Sequence, residues 1–137
     1  MISLYTDGSS TGRSNREGGW GVCVAKDDQL WFGSYGGHTK TTSNVMELTA
    51  ALQALKMIEM YRLDLIDAIE IVSDSQYVIG LATGLFTPKS NKDLAVRVRH
   101  LTEKYKCPFR WTKGHDGDKF NELADKLAKR GKEEHRE

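Results

Sequence analysis

Residues 44–61, NVMELTAALQALKMIEMY, carry the strongest indication of this chain's fold class. Leu48, Leu52 and Leu55 recur within it at helical spacing, and it contains neither glycine nor proline. Such spacing is typical of a helix that buries one face. Glu47 falls on the side of this predicted helix that carries three alanines, whose small side chains let a helix lie close to a sheet. The acid is therefore directed at packed structure rather than at solvent.

Two strand-like segments flank the predicted helix, and each leads into an aspartate. Apolar and polar residues alternate over residues 2–6 before glycine and serine break the run, which predicts a strand ending at Asp7. Residues 68–73 predict a second, buried strand that leads into Asp74, and a short helix follows over residues 75–82. A strand, a long helix and another strand predict a right-handed crossover with two adjacent parallel strands.

The other segments complete an α/β fold with a five-stranded mixed sheet flanked by helices. Residues 19–25 and 30–35 predict an antiparallel hairpin that turns at residues 26–29. Three further elements are predicted in chain order, namely a helix over residues 92–105, a strand over 107–112 and a C-terminal helix that includes residues 120–128.

The composition is that of an ordinary globular domain, with 137 residues, 39% hydrophobic and 28% charged. No apolar run approaches the roughly 20 residues of a membrane span, and the first residues do not resemble a signal peptide. We expect one domain over residues 1–131, followed by a charged, frayed tail over residues 132–137.

Cysteine usage indicates the cellular compartment, and net charge bears on the binding of nucleic acid. Cys23 and Cys107 fall inside strand-like apolar patterns without metal-type spacing, which predicts reduced core thiols and a cytoplasmic protein. We expect a monomer that does not bind membranes. A net charge of +1 provides no overall attraction to nucleic acid, so any binding of a polyanion depends on local patches.

Four acids lie where predicted strands end or predicted helices run, namely Asp7, Glu47, Asp74 and Asp125. Four carboxylates brought together in an apolar setting cannot all stay ionised unless cations neutralise them. Their convergence would therefore imply divalent metal ions held by oxygen ligands. Two of the acids follow adjacent parallel strands, where open sheets usually place ligands.

Each acid also has an ordinary structural explanation. Asp7 could cap a turn before Gly8, and Asp125 could be a solvated helix charge. Glu47 could form a capping box with Asn44, and Asp74 could cap the helix that starts near Ser75. The residues alone leave both interpretations open.

Five short sequence motifs resemble those of a known protein family. They are YTDGS at residues 5–9, TTSNVMEL at 41–48, SDSQYV at 73–78, WTKGH at 111–115 and NELAD at 121–125. In this order, and spread over nearly the whole chain, they resemble the ribonuclease H family in its type I bacterial branch. The resemblance implies a ribonuclease H-like fold.

The same resemblance implies an activity and its metal ligands. Asp7, Glu47, Asp74 and Asp125 would bind two Mg²⁺ ions, which Mn²⁺ could replace, and the substrate would be the RNA strand of an RNA–DNA hybrid. Two ions roughly 4 Å apart can activate an attacking water and stabilise the leaving oxygen. An endonuclease of this kind leaves 5′-phosphate and 3′-hydroxyl ends without a protein nucleophile.

His115 lies in a polar loop with a glycine before it. A lone loop histidine is usually just exposed, whereas an imidazole that titrates near neutrality beside a metal site suits proton delivery or product release. The resemblance favours the second role, in which loss of His115 would slow turnover without abolishing it.

Six further residues are candidate substrate contacts by resemblance. Lys40, Thr42 and Asn91 would hold a phosphate of the DNA strand, while Ser10, Asn44 and Gln76 would approach the RNA strand. Glu47 could accept from the 2′-hydroxyl, the group that separates RNA from DNA. A solvated helix entrance is the alternative for Lys40 and Thr42.

One segment departs from the family pattern. Bacterial members commonly carry a basic, tryptophan-rich protrusion after the segment of Asp74, but residues 80–90 are short, with no tryptophan and one lysine. We expect a weaker hybrid grip and limited processivity. Four basic residues could partly replace the protrusion or simply form a solvated helix face, namely Lys89, Lys92, Arg97 and Arg99.

Two other functions are alternatives to hybrid cleavage. A binding module that kept only the fold would not need four acids facing a polyanion. A junction resolvase or exonuclease of the same superfold could share the acids, but the Gly114-His115 loop and the entrance to the helix of Glu47 favour the hybrid-specific branch.

Overall fold

A computed structural model of the chain describes residues 1–11, 16–114 and 117–134. The strands are β1 (Ile2–Ser10), β2 (Arg16–Lys26), β3 (Gln29–Thr41), β4 (Ile69–Ser73) and β5 (Phe109–Trp111). The helices are α1 (Ser43–Tyr61), α2 (Gln76–Ala82), α3 (Lys92–Lys104) and α4 (Lys119–Glu134), and a 3₁₀ turn at Leu63–Leu65 follows α1.

The strands form one mixed sheet in the order β3-β2-β1-β4-β5. The pairs β1–β2 and β2–β3 are antiparallel, and the pairs β1–β4 and β4–β5 are parallel. Asp27 and Asp28 join β2 to β3 with positive φ angles of 51° and 65°, the backbone that a two-residue hairpin turn requires. The predicted hairpin and parallel pair are therefore confirmed.

Strand β1 is longer than the sequence pattern predicts. The parallel pairing with β4 stops at Thr6 opposite Ser73, but the antiparallel pairing with β2 continues to Ser10 opposite Gly18. The predicted end at Asp7 is wrong because β2 supplies hydrogen-bond partners beyond the point where β4 ends. Asp7 therefore lies inside a paired strand, one residue past the last parallel pair.

Helices cover both faces of the sheet. Helices α1, α2 and α3 pack on one face around the larger core, which includes Leu4, Leu55 and Ile71. Helix α4 packs on the other face, where Ala124 contacts a smaller core with Tyr5. Cys23 and Cys107 are free and buried, as predicted. None of the helices in the described ranges has the length and apolar content that a membrane span requires.

Glycines bring α4 into backbone contact with the sheet. A Cβ on Gly19 would overlap the main chain of Ala128, and a Cβ on Gly131 would overlap the main chain of Gly36. Gly131 is buried in this contact, so the helix continues through it to Glu134. Helix α4 thus runs three residues past position 131, after which the tail is expected to begin, and residues 135–137 lie outside the described ranges.

Candidate active site

The two central parallel strands deliver two of the acids to the same edge of the sheet. Asp7 follows Thr6 in β1, and Asp74 follows Ser73 in β4, where Thr6 and Ser73 form the last parallel pair. Parallel strands in register place their next residues side by side. The pairing of β1 with β4 thus positions these two carboxylates.

Glu47 reaches this edge from α1, the helix that packs over β1. A Cβ on Gly8 would overlap the main-chain nitrogen of Glu47, so glycine is what permits the close approach of helix and strand. The Gly8 amide donates to Oδ1 of Asp7 at 2.9 Å and also to Oε1 of Glu47. One backbone N–H therefore fixes two carboxylates.

The carboxylate oxygens of Asp7, Glu47 and Asp74 all lie within 4.8 Å of one another. Asp7 is 7% exposed, and the other two are half-buried. Oxygen ligands at this spacing are the donor set that hard divalent cations such as Mg²⁺ use. These three residues form the acid cluster.

The electrostatics of the acid cluster favour a bound cation. Burial raises the pKa of Asp7 to about 7, and the nearby Asp74 and Asp125 add to this rise. Burial and the charge of Asp7 also raise the pKa of Glu47 well above its ordinary value. Ionising these carboxyls together is costly unless positive charge is supplied, so the residues present fit a divalent metal ion.

Asp125 joins the acid cluster from the opposite face of the sheet. It projects from α4 and lines the same open cavity, of about 390 Å³, as the three clustered acids. Lys129, one turn further along α4, lies with Nζ 3.1 Å from Oδ2 of Asp125. Asp125 is therefore near the cluster but already has one cationic neighbour.

The helix caps decide between the two interpretations of Glu47 and Asp74. Thr42 caps α1 by accepting from the Val45 amide at 3.2 Å, and Ser75 caps α2 by accepting from the Val78 amide at 3.1 Å. The capping roles considered for Glu47 and Asp74 are therefore wrong. Asp7 does accept from its neighbour Gly8, so its turn-like contact coexists with its place in the acid cluster.

Hydroxyl and amide groups surround the acid cluster on one side. Asn44 lines the cavity, as do Ser43 and Ser75. The two serines were not among the residues predicted from the sequence. Ser10 is adjacent, because its Oγ lies 2.8 Å from Oγ of Ser43. Ser43 and Ser75 lie at the starts of α1 and α2, directly beside the predicted site residues Asn44 and Asp74. This proximity in the sequence could have identified them.

The other predicted substrate contacts lie outside the acid cavity. Lys40 is exposed on β3, beside a separate cleft of about 170 Å³, and Thr42 uses its hydroxyl to cap α1. Gln76 is exposed at the first position of α2. Asn91 precedes α3 with a φ of 54°. These four residues are not among those that line the cavity in the described part of the chain.

His115 lies outside the described residues, but the segment that leads to it is informative. Trp111 ends β5, and its Nε1 donates to the main-chain oxygen of Asp74 at 3.2 Å. A Cβ on Gly114 would lie 2.8 Å from Oδ2 of Asp74. The chain immediately before His115 therefore passes against the acid cluster.

Asn121 is a further residue to which the sequence assigned no role. It lies one turn before Asp125 on α4, is 3% exposed, and its Oδ1 has no hydrogen-bond donor among the described residues. A buried amide oxygen without a partner is uncommon in folded proteins. Asn121 is therefore a buried polar neighbour of Asp125 on α4.

The segment between α2 and α3 is apolar at its tip. Leu85 is 78% exposed, and Phe86 is partly exposed above Gly80. Lys89 and Lys92 are exposed, whereas Arg99 is paired with a glutamate one turn along α3 at 3.1 Å. Lys89 and Lys92 are therefore freer to contact a polyanion than Arg99.

A larger cleft, of about 520 Å³, lies near the starts of β1 and α4. Lys119 and Asp28, which line it, form an ion pair of 2.9 Å. Within the described ranges, the grouping of three potential metal ligands occurs at the acid cluster and not in this cleft. The smaller cavity is therefore the better candidate for the chemistry.

Known proteins share both the sequence pattern and the fold. The profile of the RNase H family matches residues 1–133. A ribonuclease H of Pseudomonas paraeruginosa is 34% identical over an alignment 147 residues long with its gaps, which covers 96% of this chain and 93% of that protein. A ribonuclease H of Ruthia magnifica is 37% identical over an alignment 145 residues long, which covers 93% of this chain and 92% of that protein.

Solved structures share the fold of this chain. LC11-RNase H1, isolated from compost by a metagenomic approach, superposes with a TM-score of 0.82 at 23% identity, covering 97% of this chain and 96% of its own. RNase H1 from Halobacterium salinarum gives a TM-score of 0.80 at 24% identity, covering 97% and 98%. With its acids on the two central parallel strands and the adjoining helix, this chain belongs to the ribonuclease H family.

Proposed function

We propose that this protein is a metal-dependent endonuclease that hydrolyses the RNA strand of RNA–DNA hybrids and leaves 5′-phosphate and 3′-hydroxyl ends. The observation that carries the proposal is the acid cluster, one buried and two half-buried carboxylates whose oxygens lie within 4.8 Å of one another. Relatives that match nearly the whole chain are ribonucleases H, and LC11-RNase H1, which shares the fold, has been crystallised with an RNA/DNA hybrid.

The four acids would hold the metal. Asp7, Glu47, Asp74 and Asp125 would bind two Mg²⁺ ions, or Mn²⁺ in their place, with Asp125 exchanging its contact with Lys129 for a contact with metal. Bound divalent ions activate water as a nucleophile and stabilise the charge on a leaving oxygen. No side-chain nucleophile is required.

The protein's contribution is to hold its carboxylates in place before metal arrives. The Gly8 amide donates to both Asp7 and Glu47, and the paired strands fix the spacing between Asp7 and Asp74. Positioning groups in advance avoids the cost of ordering them during the reaction.

Selection for RNA would rest on the polar side of the cavity. Ser10, Ser43 and Asn44 present hydroxyl and amide groups there, and Glu47 offers a carboxylate oxygen that could accept from a 2′-hydroxyl. The 2′-hydroxyl is the group that distinguishes RNA from DNA at a given site. We propose that these residues contact the RNA strand at the point of cleavage.

The remaining substrate contacts would lie along the hybrid, away from the cleaved phosphate. Lys40, Thr42 and Asn91 would contact the DNA strand, and Gln76 would contact the RNA strand. Lys89 and Lys92 would add phosphate contacts from the segment before α3. His115 would assist proton transfer or product release, since its loop passes against Asp74 at Gly114.

We propose that the protein acts as a monomeric single domain over residues 1–131 and that it works in the cytoplasm. Two buried, free cysteines support a reducing compartment. Gel filtration with light scattering tests the oligomeric state, and a concentration-dependent dimer would contradict it.

Labelled RNA–DNA hybrid, double-stranded RNA and double-stranded DNA, each incubated with the protein and Mg²⁺, test the activity directly. We expect cleavage within the RNA strand of the hybrid alone, and none in excess EDTA. Binding of hybrid without cleavage would instead indicate a non-catalytic module, and cleavage of DNA would indicate another nuclease of this superfold.

A further inference from the structure

We propose that Trp111 is a positioning residue for Asp74, holding the main chain of this acid through a hydrogen bond from the indole. The inference rests on the proposed function, because it concerns how the acid cluster is arranged for metal. Trp111 does not touch the carboxylate through this bond, so its action would be indirect.

The hydrogen-bond pattern of β4 explains why Asp74 needs such a partner. Strand β4 pairs with β5 as far as Ser73 opposite Trp111, and the Ser73 oxygen then accepts from the Thr112 amide at 3.0 Å. Asp74 lies one residue beyond the end of this ladder. Its main-chain oxygen instead accepts from Nε1 of Trp111 at 3.2 Å.

Serine side chains fix the residues on either side of Asp74. The Ser75 amide donates to Oγ of Ser73 at 3.0 Å, and Oγ of Ser75 accepts from the Val78 amide at 3.1 Å. The indole bond acts on Asp74 itself, between these two anchors. Rotation of this peptide would carry the carboxylate away from Asp7 and Glu47.

The same segment also contacts the other end of Asp74. Oδ2 of Asp74 lies close enough to Gly114 that an added Cβ would be 2.8 Å away. Strand β5 and the three residues after it therefore touch Asp74 at both its main chain and its carboxylate. This double contact links the short edge strand β5 and the residues after it to one acid of the cluster.

Burial alone does not account for the placement of the indole. Trp111 is 49% exposed, so much of its apolar ring remains in water. Trp31, on the edge strand β3, is similarly exposed at 43% but contributes no group to the acid cavity. Trp31 therefore provides a matched control for replacing a half-exposed indole.

Trp111→Phe tests the inference because phenylalanine keeps an aromatic ring and removes the N–H donor. We expect Mg²⁺ to bind about three- to tenfold more weakly in calorimetric titration without substrate, since one neutral hydrogen bond contributes modestly. The KM for hybrid should stay within about twofold, and saturating Mg²⁺ should restore most of kcat. Trp31→Phe should behave as wild type in each measurement.

The outcomes separate the inference from the proposed function. If wild type binds Mg²⁺ and Trp111→Phe binds it equally well, the positioning role is wrong and the proposed nuclease function stands. If wild type neither binds Mg²⁺ nor cleaves hybrid, the proposed function itself is wrong. Circular dichroism confirms folding, and a lower Tm with unchanged Mg²⁺ affinity would assign Trp111 a purely structural role.

Discussion

The two ends of the β1–β4 pair carry aspartates in opposite electrostatic settings. Asp67, just before β4, has Oδ2 3.0 Å from Nζ of Lys26 and 3.2 Å from the amino group of Met1. These hydrogen bonds lower the pKa of Asp67 to about 2. At the other end, burial and neighbouring acids raise the pKa of Asp7 to about 7.

The difference contrasts an acid that is balanced by cations of the protein with acids that are buried beside one another. The ionised Asp67 is matched by cations from the protein itself, so its charge favours the folded state. The acids at the other end are buried together, so their charges oppose folding until a cation from solution joins them. Strongly perturbed carboxyls in a cavity are typical of functional sites.

The largest expected effect separates the two ends by activity. Asp7→Asn or Asp74→Asn should reduce kcat by at least about a hundredfold. Loss of a residue that supports a metal ligand typically costs about 10- to 100-fold in activity, and loss of the ligand itself should cost more. Asp67→Asn should leave kcat unchanged while lowering the Tm. Single-turnover cleavage of labelled hybrid measures the first effect, and thermal melting measures the second.

Equal activity of Asp74→Asn and wild type would remove Asp74 from the metal site. A large loss of kcat in folded Asp67→Asn would show that the two ends are not independent. Either result would contradict the assignment of stability to one end of the strand pair and of metal binding to the other.

A second expectation concerns how an acid-rich end receives a polyanion. The net charge is +1, and no lysine or arginine is among the described residues that line the cavity, so we expect log K for hybrid to fall against log salt with a slope of only about −2 to −4. Lys89→Ala and Lys92→Ala should each flatten the slope slightly and leave the rate at saturating substrate unchanged. Fluorescence anisotropy with a catalytically inactive variant measures the affinity.

Arg99→Ala is the matched control, because the Arg99 guanidinium is already paired with Glu103. Its effect on the slope should be smaller than that of either lysine variant. A slope steeper than about −6 would show that the grip on hybrid is built from other residues.

The pH dependence of stability should have opposite signs at the two ends. The folded-state pKa of Asp7 lies above its ordinary value, so its contribution reduces metal-free stability as pH rises from about 4 to 7. The folded-state pKa of Asp67 lies below its ordinary value, so its stabilising contribution is lost as pH falls from about 4 to 2.

Asp7→Asn sharpens this expectation. At pH 7.5 in EDTA, the variant should melt about 3 °C or more above wild type, because a repulsive charge is removed. At pH 4.5 the difference should be much smaller, since Asp7 is protonated in the folded wild type and most of the pH-dependent loss of stability lies above this pH. A strong fall in Tm without metal would instead favour the turn-capping role of Asp7 toward the Gly8 amide.

The smallest effect concerns Lys129, the cation that the protein places beside Asp125. Lys129→Met should lower the metal-free free energy of unfolding by only about 0.3–0.5 kcal/mol, the usual size for a partly exposed helix pair. It should also tighten Mg²⁺ binding about twofold, because Asp125 loses a competing partner. Lys126→Met, which removes the same charge from the same helix, is the control for both measurements.

Features that depend on neighbours along the chain are predictable from this sequence. The leucine spacing in α1, the apolar alternation of β1 and the two aspartates between β2 and β3 act locally, so the helix, the strand and the turn are all confirmed. The convergence of Asp7, Glu47 and Asp74 follows because parallel strands and their crossover helix bring them to one edge.

Features that depend on distant partners are not predictable in the same way. The extension of β1 to Ser10 requires pairing with β2, and the continuation of α4 through Gly131 requires its burial against Gly36. Likewise, the bond from Trp111 to Asp74 joins residues separated by 37 positions. No local pattern in the sequence predicts these contacts.

The packing of α4 also orders events during synthesis. This last helix rests on β1, β2 and β3, the first strands to be made, and it alone carries Asp125. A ribosome adding about 5–20 residues per second therefore synthesises Asp7, Glu47 and Asp74 several seconds before the fourth acid exists. The emerging chain can assemble most of its sheet while it still lacks a complete set of acids, so translation itself delays the arrival of nuclease activity.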